Sequence, residues 1–388
     1  MQVLFHLTGI AVLFMLGLGS DFYIASRLIA PKLQRKGAVI YMAVHAFLLL
    51  VLTTIGCIAT FGGMQESIPV LVWVMFAFML MYIPKLCYVA FSWVDLLRRP
   101  HGKWGGYIGW VVGALSLIIM VGSVFNRYRI QVTETTIVSD RLPRSFDGFR
   151  VVQISDFHLE TLYSRHFAQR VVNAINDLQP HLILYTGDMV NRRATELAHY
   201  SDIFSQLKAS HGIFSVMGNH DYGDFVRWNS HAERQGNIDQ LHEIKESMGW
   251  QMLDNASQYI YCQGDSIAVI GVENWGEPPF PQYGNLSEAY PALQDSTFKI
   301  LLSHNPRHWR AEVLPLSNVD LTLSGHTHAL QMTIGNFSPV VFRYPEWGGL
   351  YSEGNQHLYV NIGVGCTMFP TRLGATPEIT LITLTSSK

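Results

Sequence analysis

Asp156 and His158 stand two positions apart at the end of the run 150–155, whose apolar and β-branched residues read as a buried strand. A carboxylate and an imidazole so spaced, where a strand gives way to a loop, can turn together onto one hard or borderline metal ion. Asp-x-His by itself is common and would more often be a solvated loop end. Its company changes the reading. Gly187-Asp188, Gly218-Asn219-His220-Asp221, His304 and Gly325-His326-Thr327-His328 follow, each just after a short apolar run. Singly, Asp188 or Asn219 would be a turn or helix cap, and His304 a histidine satisfied by a backbone carbonyl. Jointly, Asp156, His158, Asp188, Asn219, His304, His326 and His328 offer three carboxylate or amide groups and four imidazoles. That is too many for one ion and suits two divalent ions sharing a bridging carboxylate, with Mn, Fe and Zn all compatible with the donor types.

The elements that must position these residues alternate. Strand-like runs are expected at 150–155, 182–186, 213–217, 267–273, 298–303, 319–324, 358–363 and 379–384, with helical character at 164–178 and 195–210. Asp188 comes 32 positions after Asp156 and Asn219 31 after Asp188. Each interval is one β-α-β crossover, so three strand ends meet on one sheet edge, where open α/β sheets place their ligands. Later strands have fewer helices between them, as in an α/β sandwich of two packed sheets flanked by helices.

The first third of the chain is different. A hydrophobic content of 49% with 14% charged residues and a mean hydropathy of +0.17 is too apolar for an ordinary soluble protein. Residues 3–19, 38–60, 68–94 and 105–125 are nearly free of charge and close to the ~20 residues that cross a hydrocarbon core. Three units are therefore expected: a four-helix all-α transmembrane domain at 1–125, a connector at 126–149 and an α/β domain at 150–388. Basic residues mark two loops, Arg27, Lys32, Arg35 and Lys36 in 20–37 and Arg98, Arg99 and Lys103 in 95–104, whereas 61–67 carries only Gln65 and Glu66. The positive-inside rule puts both basic loops in the cytoplasm and the α/β domain outside the inner membrane; Arg127 and Arg129 oppose this mildly. Residues 131–388 hold seventeen Lys/Arg against twenty-six Asp/Glu, which argues against nucleic acid as a partner. The bilayer is the expected partner. The four cysteines show no Cys-x-x-Cys spacing; Cys262 and Cys366 read either as a disulfide or as two small buried thiols.

Asp156-x-His158, Gly187-Asp188, Gly218-Asn219-His220-Asp221, His304 and Gly325-His326-x-His328 resemble the five-block signature of calcineurin-like metallophosphoesterases, over about residues 150–385. The resemblance implies one metal held by Asp156, His158, Asp188 and His328, and a second by Asp188, Asn219, His304 and His326. Two such ions make hydroxide available near neutral pH for in-line attack on phosphorus. The resemblance also makes His220 the group that assists the leaving oxygen, and Asp221 is expected to hold its imidazole. Arg192, Arg193 and Arg372 are candidates to hold phosphate. The order of spans and domain is similar to bacterial membrane-anchored metallophosphoesterases, some of whose relatives cleave the pyrophosphate of UDP-2,3-diacylglucosamine. The reading is thus a phosphodiesterase acting on a lipid-linked or membrane-proximal ester. Alternatives are a pyrophosphohydrolase of that type on the cytoplasmic face and a non-catalytic membrane sensor. The apolar stretch 337–351 is expected to touch the membrane interface, line an acyl groove or form an ordinary hairpin.

Overall fold

The computed structural model describes residues 2–61, 68–97, 104–278, 280–367 and 369–388, in two compact units that divide at Val124 and Phe125. The expected turn at 61–67 and the basic residues Arg98, Arg99 and Lys103 lie outside the described residues.

The first unit is helical: α1 (Gln2–Ile24), α2 (Ala30–Phe61), α3 (Ile68–Leu97) and α4 (Trp104–Asn126). Three helical runs among the described residues are long and apolar enough to cross a membrane, Val12–Ile58, Val70–Asp95 and Trp104–Asn126. The first, at 47 residues, is more than twice the ~20 needed for one crossing. It includes a π-helical turn at Ala25–Ile29 and a break at Gln34, whose φ of 58° and ψ of −177° belong to no helix. A Cβ added at Gly17 in α1 would meet Leu49 of α2 and Tyr82 of α3, so the absent side chain is what allows the three helices to close on one another. Against α3, the helix α4 presents Gly105, Gly109 and Gly113, one every four residues; side chains there would meet Phe91 O, the Tyr88 backbone and Pro84 O. With no water to expel between helices in lipid, such close backbone approach supplies the packing. Asp21 is fully buried in this unit, its carboxylate accepting from Lys85 Nζ at 2.7 Å and from the Tyr41 and Tyr82 hydroxyls at 3.0 Å each.

Among its described residues the second unit contains twelve strands: β1 (Gln131–Ser139), β2 (Phe149–Ile154), β3 (Leu182–Tyr185), β4 (Ile213–Ser215), β5 (Trp250–Met252), β6 (Ala256–Cys262), β7 (Asp265–Gly271), β8 (Lys299–Leu302), β9 (Leu321–Ser324), β10 (Gly349–Glu353), β11 (Gln356–Val360) and β12 (Glu378–Ser386). They form two six-stranded sheets, ordered β1-β12-β2-β3-β4-β5 and β10-β11-β9-β8-β7-β6. The segment 126–149 contributes β1, which runs parallel to β12 at the edge of the first sheet. Strands β2 to β5 are mutually parallel, as are β7, β8, β9 and β11. Their facing side chains form the inner core: Val151, Leu182, Leu184 and Phe214 from one sheet, Ile267, Val269, Ile300 and Leu323 from the other.

Outside the first sheet packs the helix Arg165–Asp177, capped by the Ser164 hydroxyl accepting from Phe167 N, with Phe167, Ala168, Val171, Val172 and Ile175 buried at helical spacing. A second helix, His231–Ser247, lies on the same face, whereas the helical character expected at 195–210 is realised as two single turns, Thr195–Ala198 and Ser201–Phe204. The second sheet is covered by a smaller cluster around Trp309 and Leu286. Cys262 and Cys366 are free thiols, the former half-buried and the latter buried.

Candidate metal centre

Every donor group emerges just beyond the C-terminal end of a parallel strand. Asp156 and His158 follow β2, Asp188 follows β3 and Asn219 follows β4; His304 follows β8, and His326 and His328 follow β9. The sequence intervals place three of these ends on one sheet edge, and the sandwich brings the other two against them. To aim side chains at a common point the backbone takes the left-handed region at Asp156, His158, Asp188, His326 and His328, with φ of 55°, 46°, 58°, 72° and 49°. Such conformations are costly for L-residues and collect at functional sites. Gly218 and Gly325 give way for the same reason: a Cβ would strike the Asp188 carboxylate at the first and Ser155 Oγ and the Asp156 carboxylate at the second.

The donors converge as three groups, each with ligand atoms within 4.8 Å of one another: Asp156, His158 and His328; His158, Asp188 and His220; and Asp188, His304 and His326. Asp156 Oδ1 is 3.2 Å from His328 Nε2, and the two ring nitrogens His158 Nε2 and His328 Nε2 are 2.9 Å apart. Asp188 Oδ2 is 3.1 Å from His304 Nε2 and 3.6 Å from His158 Nε2, so this one carboxylate borders both ends of the cluster. His304 Nε2 is 3.2 Å from His326 Nδ1, while His304 Nδ1 faces Thr186 O at 2.7 Å. Asp156, His158, Asp188, His304 and His328 are buried; Asn219 and His326 are half-buried.

Electrostatics show what the cluster lacks. Burial opposes charge on both carboxylates, yet His328 and His158 hold Asp156, and His304 and His220 hold Asp188, well below the usual carboxylate range. Burial likewise disfavours a charged His304, but Asp188 overrides it and raises the ring to about 9. Desolvation, and then the neighbouring His304, push His326 down to about 3. Three further observations fit divalent cations. Asn219 Oδ1 and His158 Nδ1 are buried with no hydrogen-bond partner in the protein. Two imidazole nitrogens at 2.9 Å repel unless a proton or cation lies between them. Mixed carboxylate, amide and imidazole donors are a borderline-metal set. Divided between two ions, Asp156, His158 and His328 would serve one, Asn219, His304 and His326 the other, with Asp188 between.

His220 stands beside this cluster, 2.9 Å through Nδ1 from the Asn191 carbonyl and stacked on Phe225 with centroids 4.5 Å apart. Its backbone N–H donates to Asp188 Oδ1 at 2.8 Å. Asp221 does not hold this ring as expected. Its carboxylate accepts instead from the N–H groups of Asp188, Met189, Val190 and Gly218 at 2.9–3.2 Å, tying the loop after β3 to the loop after β4. Adjacent residues diverge at such a turn, and four converging donors are worth more to a buried carboxylate than one imidazole. The Asn191 carbonyl is itself held in place: Glu196 accepts from the N–H groups of Asn191, Arg192 and Arg193 at 2.7–2.9 Å and from Glu160 N at 3.1 Å.

The arginines divide as well. Arg192 is buried in an ion pair with Glu160, and Arg372 is fully buried, donating to three backbone carbonyls and facing His328 Nδ1 at 3.1 Å, so both are committed to the protein interior. Arg193 lies over the Trp228 ring. Sequence reasoning missed Glu196, Asn191 and Tyr344, whose hydroxyl is 2.8 Å from His326 Nε2. No spacing rule singles out such partners, because a backbone carbonyl or a hydroxyl 18 positions away becomes visible only in three dimensions.

A calcineurin-like phosphoesterase family model matches residues 149–330. The chain is similar to the uncharacterised metallophosphoesterase YkuE of Bacillus subtilis, 32% identical over 271 residues that cover 67% of this chain and 87% of the relative. An uncharacterised metallophosphoesterase of Campylobacter jejuni is 25% identical over 79% of this chain and 80% of its own length. A transmembrane protein with metallophosphoesterase domain from Danio rerio is 29% identical over 66% of this chain, which spans only 57% of that relative. The strand-end donors of 150–330 thus sit in a region shared with proteins of one kind, and the chain belongs to the calcineurin-like phosphoesterases, metal-dependent hydrolases of phosphoric esters.

Proposed function

We propose that the protein is a membrane-anchored phosphodiesterase that hydrolyses a lipid-linked or membrane-proximal phosphate ester. The observation that carries the diester reading is His220, an imidazole oriented by the Asn191 carbonyl at 2.9 Å beside the Asp188 carboxylate. The ions this site fits would supply a nucleophile from water at neutral pH and neutralise phosphoryl oxygens. The Nδ1–H bond to the carbonyl directs Nε2 of His220 away from Asn191, free to exchange a proton with a leaving oxygen. Burial lowers the basicity of this ring while Asp188 works to raise it, and an arriving phosphate adds to the pull of Asp188. Proton assistance of this kind matters most for alkoxide leaving groups, which suits alkyl diesters, with alkyl monoesters open to the same help. Stacking on Phe225 restricts the ring, and the buried Asp188 keeps His220 N in register.

The membrane reading draws support from the apolar helices. Four crossings account best for them: the 47-residue run is broken at Gln34, where α1 and α2 would form a hairpin with Arg27, Lys32, Arg35 and Lys36 at its tip. With that basic tip in the cytoplasm, four crossings leave the metal centre outside the inner membrane. A reporter fused after Lys388 tests the side.

The chemistry is tested by hydrolysis of bis-p-nitrophenyl phosphate by the purified full chain with Mn²⁺. Turnover by the wild type is the expected result, with His220→Ala slowed by about 10²-fold or more on a diester that has an alkoxide leaving group and far less on bis-p-nitrophenyl phosphate, whose p-nitrophenolate leaves without a proton. A wild type inert on diester and monoester with Mn, Fe or Zn overturns the reading.

A further inference from the structure

The loop that leaves the metal centre after His328 is built to expose apolar side chains. After His328 at 49°, Ala329, Leu330 and Gln331 take φ of 50°, 50° and 54°, so four consecutive residues are left-handed with none a glycine. The conformation is held by Ser338 Oγ donating to Ala329 O at 2.7 Å, and by Thr333 N to Leu373 O and Leu373 N to Gln331 O at 2.8 Å each. It leaves Leu330, Met332, Ile334, Phe337 and Phe342 exposed, Ile334 at 73% and Phe342 at 87%. Ile334 and Phe337 are joined by backbone hydrogen bonds, and the Phe337 and Phe342 rings meet edge to face at 6.3 Å, so these three form one patch. The same loop reaches the metal donors: Tyr344 hydroxyl lies 2.8 Å from His326 Nε2, and Thr327 Oγ1 donates to Trp347 O at 2.6 Å. Arg343, 62% exposed, directly follows Phe342 and pairs with Glu277 at 3.4 Å.

We propose that Leu330–Phe342 is a lip that inserts into the headgroup layer of a lipid bilayer beside the metal centre. The inference rests on the membrane-anchored reading and names the surface through which that site meets the bilayer. Ordered, contiguous apolar side chains with a neighbouring arginine and interfacial aromatics suit a boundary where acyl chains give way to phosphate headgroups. A bilayer is also the occupant the chain itself supplies. Helix α4 ends at Asn126 and β1 begins at Gln131; the four residues between, Arg127 to Ile130, are a tether of about 14 Å at full extension. A surface so tethered is presented to lipid at high effective concentration before any diffusing partner arrives. A phosphate ester in the headgroup layer would then reach the metal donors along the lip without entering water.

The test uses the full chain in nanodiscs of phosphatidylcholine and phosphatidylglycerol, with Cys57, Cys87, Cys262 and Cys366 replaced by Ser. Phe342→Cys is labelled with the environment-sensitive dye NBD, and Tyr261→Cys, at a site 66% exposed on β6, serves as the reference. Blue-shifted emission at 342 that doxyl lipids quench, with water-like emission at 261, is expected. Water-like emission at both sites overturns the lip. In the same nanodiscs, Ile334→Asp combined with Phe342→Asp retains turnover of bis-p-nitrophenyl phosphate and loses about tenfold or more on a fluorescent phosphodiester lipid. If NBD at 342 is immersed while the wild type cleaves only soluble diesters, the lip stands and the lipid-substrate reading fails.

Discussion

Two buried charged clusters, one in each unit, answer the cost of burying a carboxylate in opposite ways. In the helical unit Asp21 is closed: one ammonium and two hydroxyls from α2 and α3 satisfy its oxygens, and Lys85 lies over the Tyr82 ring at 4.5 Å. Nothing is left over for a ligand. In the α/β unit Asp156 and Asp188 face four imidazoles, yet Asn219 Oδ1 and His158 Nδ1 lack partners and like atoms crowd at 2.9 Å. A buried polar cluster that balances its own charge is a staple; one with donors to spare is a binding site.

Substitution should cost most at Asp188, which borders both ends of the open cluster. Asp188→Ala removes the carboxylate common to two donor groups and should reduce bis-p-nitrophenyl phosphate turnover about 10⁴-fold, some 5 kcal/mol of transition-state stabilisation. A variant that stays within tenfold of wild type would falsify the two-ion assignment. Chelation comes next. Stripping metal should abolish activity reversibly and lower the stability of the α/β unit by about 4 kcal/mol relative to protein with ions a thousandfold above Kd. Read by differential scanning calorimetry, an α/β transition unmoved by chelator would mean the cluster holds no ion in the folded state.

Asp21→Ala sharpens the contrast from the other side. Leaving the half-buried Lys85 without its partner should destabilise the helical unit by about 2 kcal/mol, with per-molecule turnover on a soluble diester unchanged. Metal-dependent stabilisation of the helical unit, lost in this variant, would show that Asp21 belongs to a ligand site after all. The smallest effect is expected at Glu196→Gln, where one amide oxygen replaces two carboxylate oxygens that accept four N–H groups. Loosening of the Asn191 carbonyl should slow turnover about tenfold, or 1.4 kcal/mol. Because the effect passes through His220, it should vanish in a His220→Ala background; full additivity of the two changes would exclude that route.

The strands that carry the metal donors were readable because each is short, buried along nearly its whole length and ends at a glycine or polar block, as in Ile183–Leu184 before Gly187-Asp188. What escaped was whatever lacked a period of its own. The helix His231–Ser247 buries only Asn237, Ile238, Leu241 and Lys245, too sparse and polar a stripe to register. Strand β6 buries Ile260 and no other residue, and β10 buries none, so neither shows the alternation of a half-buried strand. The Gly105, Gly109 and Gly113 spacing was in plain view, but its meaning depends on α3 lying against it.

The sequence alone determined the chemistry available: seven donor groups of the right types, their order, their positions after apolar strands and the apolar helices that precede them. Ligand chemistry is a property of side chains, and strand-end placement is a property of local pattern, so both survive without coordinates. Tertiary structure decided how those donors divide, with Asp188 between two groups and His220 leaning on the Asn191 carbonyl while Asp221 ties the loops. It also decided that Arg192 and Arg372 are spent inside the protein and that the loop after His328 faces outward. Partner choice among buried polar groups depends on distances of a few ångströms between residues far apart in the chain, and no local rule carries that information.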